Sequence, residues 1–387
     1  MSVVDTLHHT YAPIMRFSAG ENFFPMAVDD FLGYSALYRK GENKPLVQQG
    51  QLNAAMLQKT QQADQVFLRS VTTGPLWGKD VASEWNRDAL HLLREYMLKP
   101  RQTWNETTAK QAYQWLSAKT EPAARRFWWN DLLLPKVEED IARGSRSQLP
   151  RFILPSEVRN SAIERYRASQ GERPRFTYYF REVQQGGYLN LQYWFYYAYN
   201  DWANGFGGFN DHEGDWEGFH LFFKLDGGRP VEPPAYACYL GHHSRITKPW
   251  GHPDMEIIGT HPVINVAAGS HASYPERKEY PLMALYNLID YATGDAYELD
   301  NADWSNRLPL EQQPWVNQVN VSWGTRYWLP LTLLNLAMRT VGVILPREML
   351  LPGVSAPRGP HFDDRGDERE VWRAPLQFAS ITPLPAN

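Results

Sequence analysis

The sequence predicts an α+β chain: an antiparallel β-sandwich formed by residues 1–50 and 172–387, with a helical insertion, residues 51–171, packed on it. Three observations predict it. From about residue 175 the chain is a succession of short aromatic-rich runs separated by Gly and Pro, the texture of an antiparallel sandwich. Between about 52 and 170 the apolar residues recur instead at helical spacing. The 15 Trp, 21 Tyr and 17 Phe are side chains that favour a pleated, half-buried surface.

Taken in order, the first 45 residues read as extended and loop-rich (YAPIMRFSAGENFFP, then MAVDDFLGYSALYRK). SEWNRDALHLLREYML spaces Trp85, Ala89, Leu92, Leu93 and Tyr96 along one helical face behind Ser83, and two weaker helical segments follow. Ser156 opens SEVRNSAIERYRASQG, a helix that Gly171 ends. FTYYFREV and YLNLQYWFYYAYN are strands across the turn QQGG; WEGFHLFFKL is a strand closed by the glycines of 226–228; AYACYLG and PVINVAAGS are further strands. PLMALYNLIDYATG reads as a helix within the β region, and the segment after 346 as surface loops. Pro330, Asn335 and Arg339 interrupt the apolar run 327–345, which therefore reads as a buried or interfacial helix rather than a membrane span.

Composition narrows the function classes. At 387 residues, 43% hydrophobic and 21% charged, the chain has ordinary globular material for a large core. A net charge of −4 gives no reason to expect nucleic acid as a partner. A single cysteine, Cys238, permits no internal disulfide, and MSVVDTLHHTYAPIMRF lacks the basic and apolar stretches of a signal peptide. The expectation is a cytoplasmic protein, with non-classical export left open.

Residues 209–219, FNDHEGDWEGF, raise the chemical question. Asp211, Glu213, Asp215 and Glu217 would repel one another unless solvated, protonated or gathered around a cation. On a strand, Asp215, Glu217, Phe219 and Leu221 share one face, and Trp216, Gly218, His220 and Phe222 the other. His212, read as part of the preceding loop, can fold toward the two carboxylates. His212, Asp215, Glu217 and Asp211 are thus candidate ligands of a divalent cation, Mg²⁺, Ca²⁺ or Mn²⁺ before Zn²⁺, because the donors are mostly hard oxygens. Seven of the 11 histidines lie between His212 and His271. His271, in the loop of NVAAGSHASYP, is a candidate ligand-contacting residue with Trp216 and Asp201. His242, His243 and His252 read as surface residues. The competing reading of the cluster is a solvated acidic loop; the flanking Phe209, Trp216 and Phe219 count against it, since buried carboxylates need partners.

The stretch QYWFYYAYNDWANGFGGFNDHEGDWEGFHLFF, together with YAPIMRFSAGENFFP, PVINVAAGSHASYP, SAPRGP and VWRAP in the same order, resembles the vacuolar-protein-sorting-associated protein 62-like family. DHEGDWE is also similar to the heptapeptide GHRHDWE of the necrosis- and ethylene-inducing-like cytolysins. That second resemblance implies a β-sandwich holding a divalent cation in an acidic pocket that engages sphingolipid sugar headgroups. It carries the family's metal ligands onto His212, Asp215 and Glu217. A further family Asp falls at Asn204, with Asp201 or Asp211 as substitutes, and Asp211, Glu213 and Gly214 replace the family's Gly, Arg and second His.

Three functions follow. The first is a binding protein that recognises a polar headgroup (lipid, glycan or phosphate) through a cation, at a membrane surface or free. The second is a metal-dependent hydrolase using the same cluster, with His271 or Glu213 as base or acid. The third is a non-catalytic scaffold with a structural metal. No G-x-S-x-G, H-E-x-x-H or P-loop motif is present.

Overall fold

The structure is a computed structural model that describes residues 4–39, 42, 44–58, 66–71, 156–201, 211–241, 244–283, 288–317, 321–324, 326–328, 352–363 and 366–385. The predicted helices between residues 83 and 144, nearly all of the apolar run 327–345, and His242 and His243 lie outside the described residues.

The organising element is a long antiparallel pair, β6 (Tyr188–Asn200) and β7 (His212–Asp226). Both have runs of aromatic and aliphatic residues on two faces, the pattern of strands covered on both sides. β5 (Phe176–Gln185) precedes them across the turn at Gly186 and Gly187, which take φ of 53° and 80°. The central sheet is completed by β8 (Arg229–Pro230), β9 (Tyr236–Gly241), β10 (Ser244–Pro249) and β17 (Trp304–Pro309), in the order β10-β9-β7-β6-β5-β17 with β8 on β7.

A second sheet has the order β11-β12-β1-β16, built from β1 (Ile14–Phe17), β11 (Ile257–Ile258), β12 (His261–Val266) and β16 (Tyr297–Leu299), with β13 (Ser273–Tyr274) on β12. The two sheets bury a shared core: Met15, Phe17, Ile264, Val266 and Leu299 meet Tyr193, Phe195, Phe219, Leu221 and Tyr239. This is the predicted β-sandwich, in an α+β chain. Most pairings are antiparallel; β1 with β12 and β17 with β5 are parallel. Each large side chain buried there contributes about 1.5–3 kcal/mol of hydrophobic stabilisation.

The other face of the central sheet has its own core. Trp194, Tyr196, Trp216, Trp315 and Trp323 pack there with Val158, Ala162 and Tyr166 of the helix Ser156–Gln170. That helix ends as read from sequence, at Gly171 in the left-handed region (φ 65°). Against this core lies a small sheet of β2 (Ala36–Arg39), β3 (Pro45–Val47) and β4 (Val66–Arg69). β4 is a strand within the stretch whose periodicity reads as helical; its four residues, VFLR, are too few to show any period. Short helices at Val4–Thr10 and Val28–Gly33 interrupt the N-terminal segment read as extended.

The helix expected in PLMALYNLIDYATG is not found. β14 (Lys278–Met283) and β15 (Leu288–Ala292) form an antiparallel pair there. Asp290 is buried in β15 and accepts hydrogen bonds from Ser270 Oγ at 2.9 Å and Tyr274 OH at 2.7 Å. These partners outside the segment outweigh its helical propensity. Among the described residues no helix is long and apolar enough to cross a membrane. β18 (Arg326–Trp328) and β19 (Pro352–Ser355) make a last two-stranded pair.

Candidate functional site

The acidic cluster lies at the start of β7, and one glycine decides how it is laid out. β6 and β7 keep a single register from Tyr188 opposite Lys224 to Asn200 opposite His212. Strict alternation would then put Glu213, Asp215 and Glu217 on one face and His212 on the other. Gly214 takes φ 65°, and the alternation breaks there. Glu213 turns toward β4, while His212 comes to Asp215's side. A Cβ at Gly214 would lie 2.7 Å from Trp323 O and 3.0 Å from Tyr196 OH, so glycine is required for space as well as for conformation.

The carboxylates are thereby parted, and Glu213, Asp201 and Asp215 each have partners of their own. Glu213 accepts from Arg69 Nη1 at 2.9 Å, and from Ser70 N, Ser70 Oγ and Val71 N at 2.6, 2.7 and 3.2 Å. Asp201 accepts from Arg159 Nε at 2.7 Å. Asp211 is fully buried just ahead of the strand. Asp215 Oδ2 accepts from Asn200 Nδ2 and from His271 Nδ1, both at 3.1 Å. His212 donates its Nδ1–H to Gly214 O at 2.9 Å.

His271 is the hub. It sits at φ 59°, a left-handed conformation unusual for a residue with a Cβ, and is fully buried. Its ring stacks on Tyr197 at 3.8 Å and 5°. Its Nε2 lies 3.4 Å from Glu21 Oε1, too poorly aligned for a hydrogen bond but close enough for an ion pair. Burial alone would lower the imidazole pKa; the Glu21 charge and the Asp215 hydrogen bond outweigh it and raise the value to about 9. Burial likewise pushes the Asp215 carboxyl up, but the His271 hydrogen bond and the imidazoles of His212 and His271 bring it below the usual carboxylate range.

Glu217 differs from the rest. It is partly buried on Asp215's face, and no hydrogen bond to it is found among the described residues. Burial, then Asp215, then Asp290 push its pKa well above the ordinary value, and Arg369 opposes them.

Of the residues expected from sequence, Asp215 is joined to His271 and has His212 beside it, with Glu217 two positions further along the same strand face. Asp201 stands beside them through its backbone, whose N–H donates to Gly269 O at 2.8 Å, while its carboxylate turns to Arg159. Trp216 is not among them. It lies on the opposite face of β7, within 5.8 Å of the rings of Tyr196, Trp315 and Trp323. Among the described residues no group of three or more His, Cys, Asp or Glu is placed to hold a metal ion. Sequence reasoning missed Glu21, Asn200, Arg69 and Asp290. Only Glu21 had a signal, an acid beside the turn-forming Gly20 in the otherwise apolar opening segment.

No protein-family model matches the chain, and no curated protein matches it either. The likeness to the vacuolar-protein-sorting-associated protein 62-like family therefore rests on the quoted segments alone. Two solved structures show a slight likeness. One is the necrosis and ethylene inducing protein 2 from the causal agent of cocoa's witches' broom disease, with 21% identity, a TM-score of 0.23, and coverage of 27% of this chain and 46% of that one. The match thus spans less than half of that protein's length. The other is the non-toxic HaNLP3 protein, with 16% identity, a TM-score of 0.26, and coverage of 46% of this chain and 73% of that one. Likenesses this slight decide neither fold nor function.

Proposed function

We propose that this chain is a binding protein that holds a divalent cation against Asp215 and Glu217 and, through it, a polar headgroup. The observation that carries the reading is Glu217. A half-buried carboxylate with no hydrogen bond among the described residues, on the same strand face as a second carboxylate, is costly unless it keeps its proton or a positive charge joins it. Hard oxygen donors suit Mg²⁺, Ca²⁺ or Mn²⁺. With two carboxylates as its protein ligands the cation keeps positions for oxygens of the ligand, whether lipid, glycan or phosphate.

A second reading also has an observation in its favour. Asp215 already has His271 and Asn200, and Glu213 has Arg69, so the cluster is largely neutralised from within. A scaffold whose polar node fixes the sandwich needs no cation. Elemental analysis and calorimetric titration with Ca²⁺, Mg²⁺ and Mn²⁺ separate the two, on wild type beside Glu217→Gln. Near-stoichiometric metal that disappears in a folded Glu217→Gln supports the binding protein; no metal and no heat of binding in wild type leaves the scaffold. Cation-dependent retention on vesicles or immobilised glycans then identifies the headgroup.

A further inference from the structure

Glu21 lies in the opening segment GENFFP, 194 positions before Asp215 and 250 before His271, yet all three meet in one buried line. Its side chain is 2% exposed and both of its oxygens are engaged. Oε1 accepts from Asn22 N at 2.8 Å and Phe23 N at 2.9 Å, so the carboxylate is anchored to its own loop. Oε2 accepts from Gly269 N at 2.9 Å, in the turn that carries His271. Oε1 also stands 3.4 Å from His271 Nε2, while the opposite ring nitrogen donates to Asp215 Oδ2 at 3.1 Å. Tyr197 covers the face of the ring.

We propose that Glu21 is a positioning residue for the β7 site: from the N-terminal segment it holds His271 against Asp215 and so fixes the orientation in which the Asp215 carboxylate meets a ligand. Three features of the geometry support this. The first is strain: a residue with a Cβ at φ 59° persists only where its surroundings over-determine it. Backbone hydrogen bonds hold part of that turn, from His271 N to Ala267 O at 3.0 Å and from Asp201 N to Gly269 O at 2.8 Å. On the ring itself, Tyr197 restrains tilt but leaves rotation in the ring plane open. The second is charge: an imidazole between two carboxylates is held at both ends, whereas one carboxylate alone permits the ring to swing. The third is engagement: His271 and Asn200 both occupy Asp215 Oδ2, and Trp216 N reaches Oδ1 at 3.0 Å, so the carboxylate has one orientation while His271 stays in place. Supporting groups of this kind typically change metal affinity by about 10–100-fold when removed.

The consequence for a bound cation rests on the binding-protein reading; the hold on His271 does not. Two measurements keep them apart. In the first, Glu21→Gln, which retains the acceptor toward Asn22 and Phe23, is compared with wild type for Ca²⁺ and Mn²⁺ affinity, and again in a His271→Gln background. The expected result is a loss of about tenfold or more with His271 present and less than about twofold without it. An equal loss in both backgrounds overturns the proposal, because Glu21 then acts on the loop alone.

In the second, the ring Nδ1–H resonance of His271 is followed by NMR, assigned through its disappearance in Asp215→Asn. It is expected to be protected from exchange in wild type and to be lost or strongly shifted in Glu21→Gln. An unchanged resonance overturns the proposal even if the chain binds no cation. Should Glu21→Gln not fold, the same readings are taken on Glu21→Asp, which withdraws the carboxylate from the ring by one methylene.

Discussion

Glu213 and Asp215 are separated by one glycine and serve opposite faces of the same sheet, Glu213 held by Arg69 and Ser70, Asp215 by His271 and Asn200. The separation depends on Gly214, in a region of φ that disfavours a side chain and with Trp323 O where a Cβ would sit. Gly214→Ala is expected to lose at least about 2 kcal/mol of stability, from backbone strain plus a backbone clash. Urea unfolding measures it; a loss under about 0.5 kcal/mol, the range of ordinary surface changes, contradicts this account of the strand.

The Arg69–Glu213 pair, each side chain 2% exposed, joins the small N-terminal sheet to β7. Glu213→Ala leaves a guanidinium buried without its counter-charge and is expected to cost about 3–5 kcal/mol. Glu213→Gln keeps much of the hydrogen bonding and is expected to cost clearly less. Paired denaturation curves of the two variants check the order.

His220 is fully buried on the face opposite the acidic cluster, with neither ring nitrogen hydrogen-bonded among the described residues. Cys238 and Gln192 stand across from it on neighbouring strands, Trp194 lies edge-on at 5.5 Å, and Arg181 is the charge that faces it. Burial, then Arg181, lower its pKa from 6.5 to about 3. The unfolded chain therefore binds a proton that the folded one refuses. Stability from this group is intact above about 6.5 and declines as pH falls toward about 3, by on the order of 4–5 kcal/mol in the limit. His220→Met is expected to remove that part of the acid limb, seen as a shallower fall of the melting temperature between pH 6.5 and 4.

Tyr197 keeps its ring on His271, but its hydroxyl is buried without a hydrogen-bond partner among the described residues, near Glu217, Glu21 and Asp215. Tyr197→Phe preserves the stack and removes the unsatisfied group. It is expected to leave stability unchanged or raise it by about 1 kcal/mol, read as a shift in the unfolding midpoint.

Much of this was legible in the residues. The alternation of Asp215, Glu217, Phe219 and Leu221 against Trp216, Gly218, His220 and Phe222 holds along β7 because both faces of that strand are buried. Ser156–Gln170 and the turns at Gly186 and Gly227 were legible because period and punctuation are local. Other features depend on partners far away in the chain. The β14–β15 pair is fixed by Ser270 and Tyr274 holding Asp290, and no window on PLMALYNLIDYATG contains them. His212 reaches Asp215's side through one left-handed glycine, not through the loop that sequence suggested. The positive partners of Glu213 and Asp215, Arg69 and His271, come from elsewhere in the sequence, which is why solvation, protonation and a cation all stayed open for the cluster.

The parallel pairing of β1 with β12, Ile14 opposite Val263, sets a clock on synthesis. At about 5–20 residues per second, β1 emerges roughly 12–50 seconds before the strand it must lie against. Glu21, four positions after β1 ends, waits as long for its histidine. The nascent chain thus carries an unpaired strand through most of translation, and the acid–imidazole line closes only after the two halves of the sandwich have met.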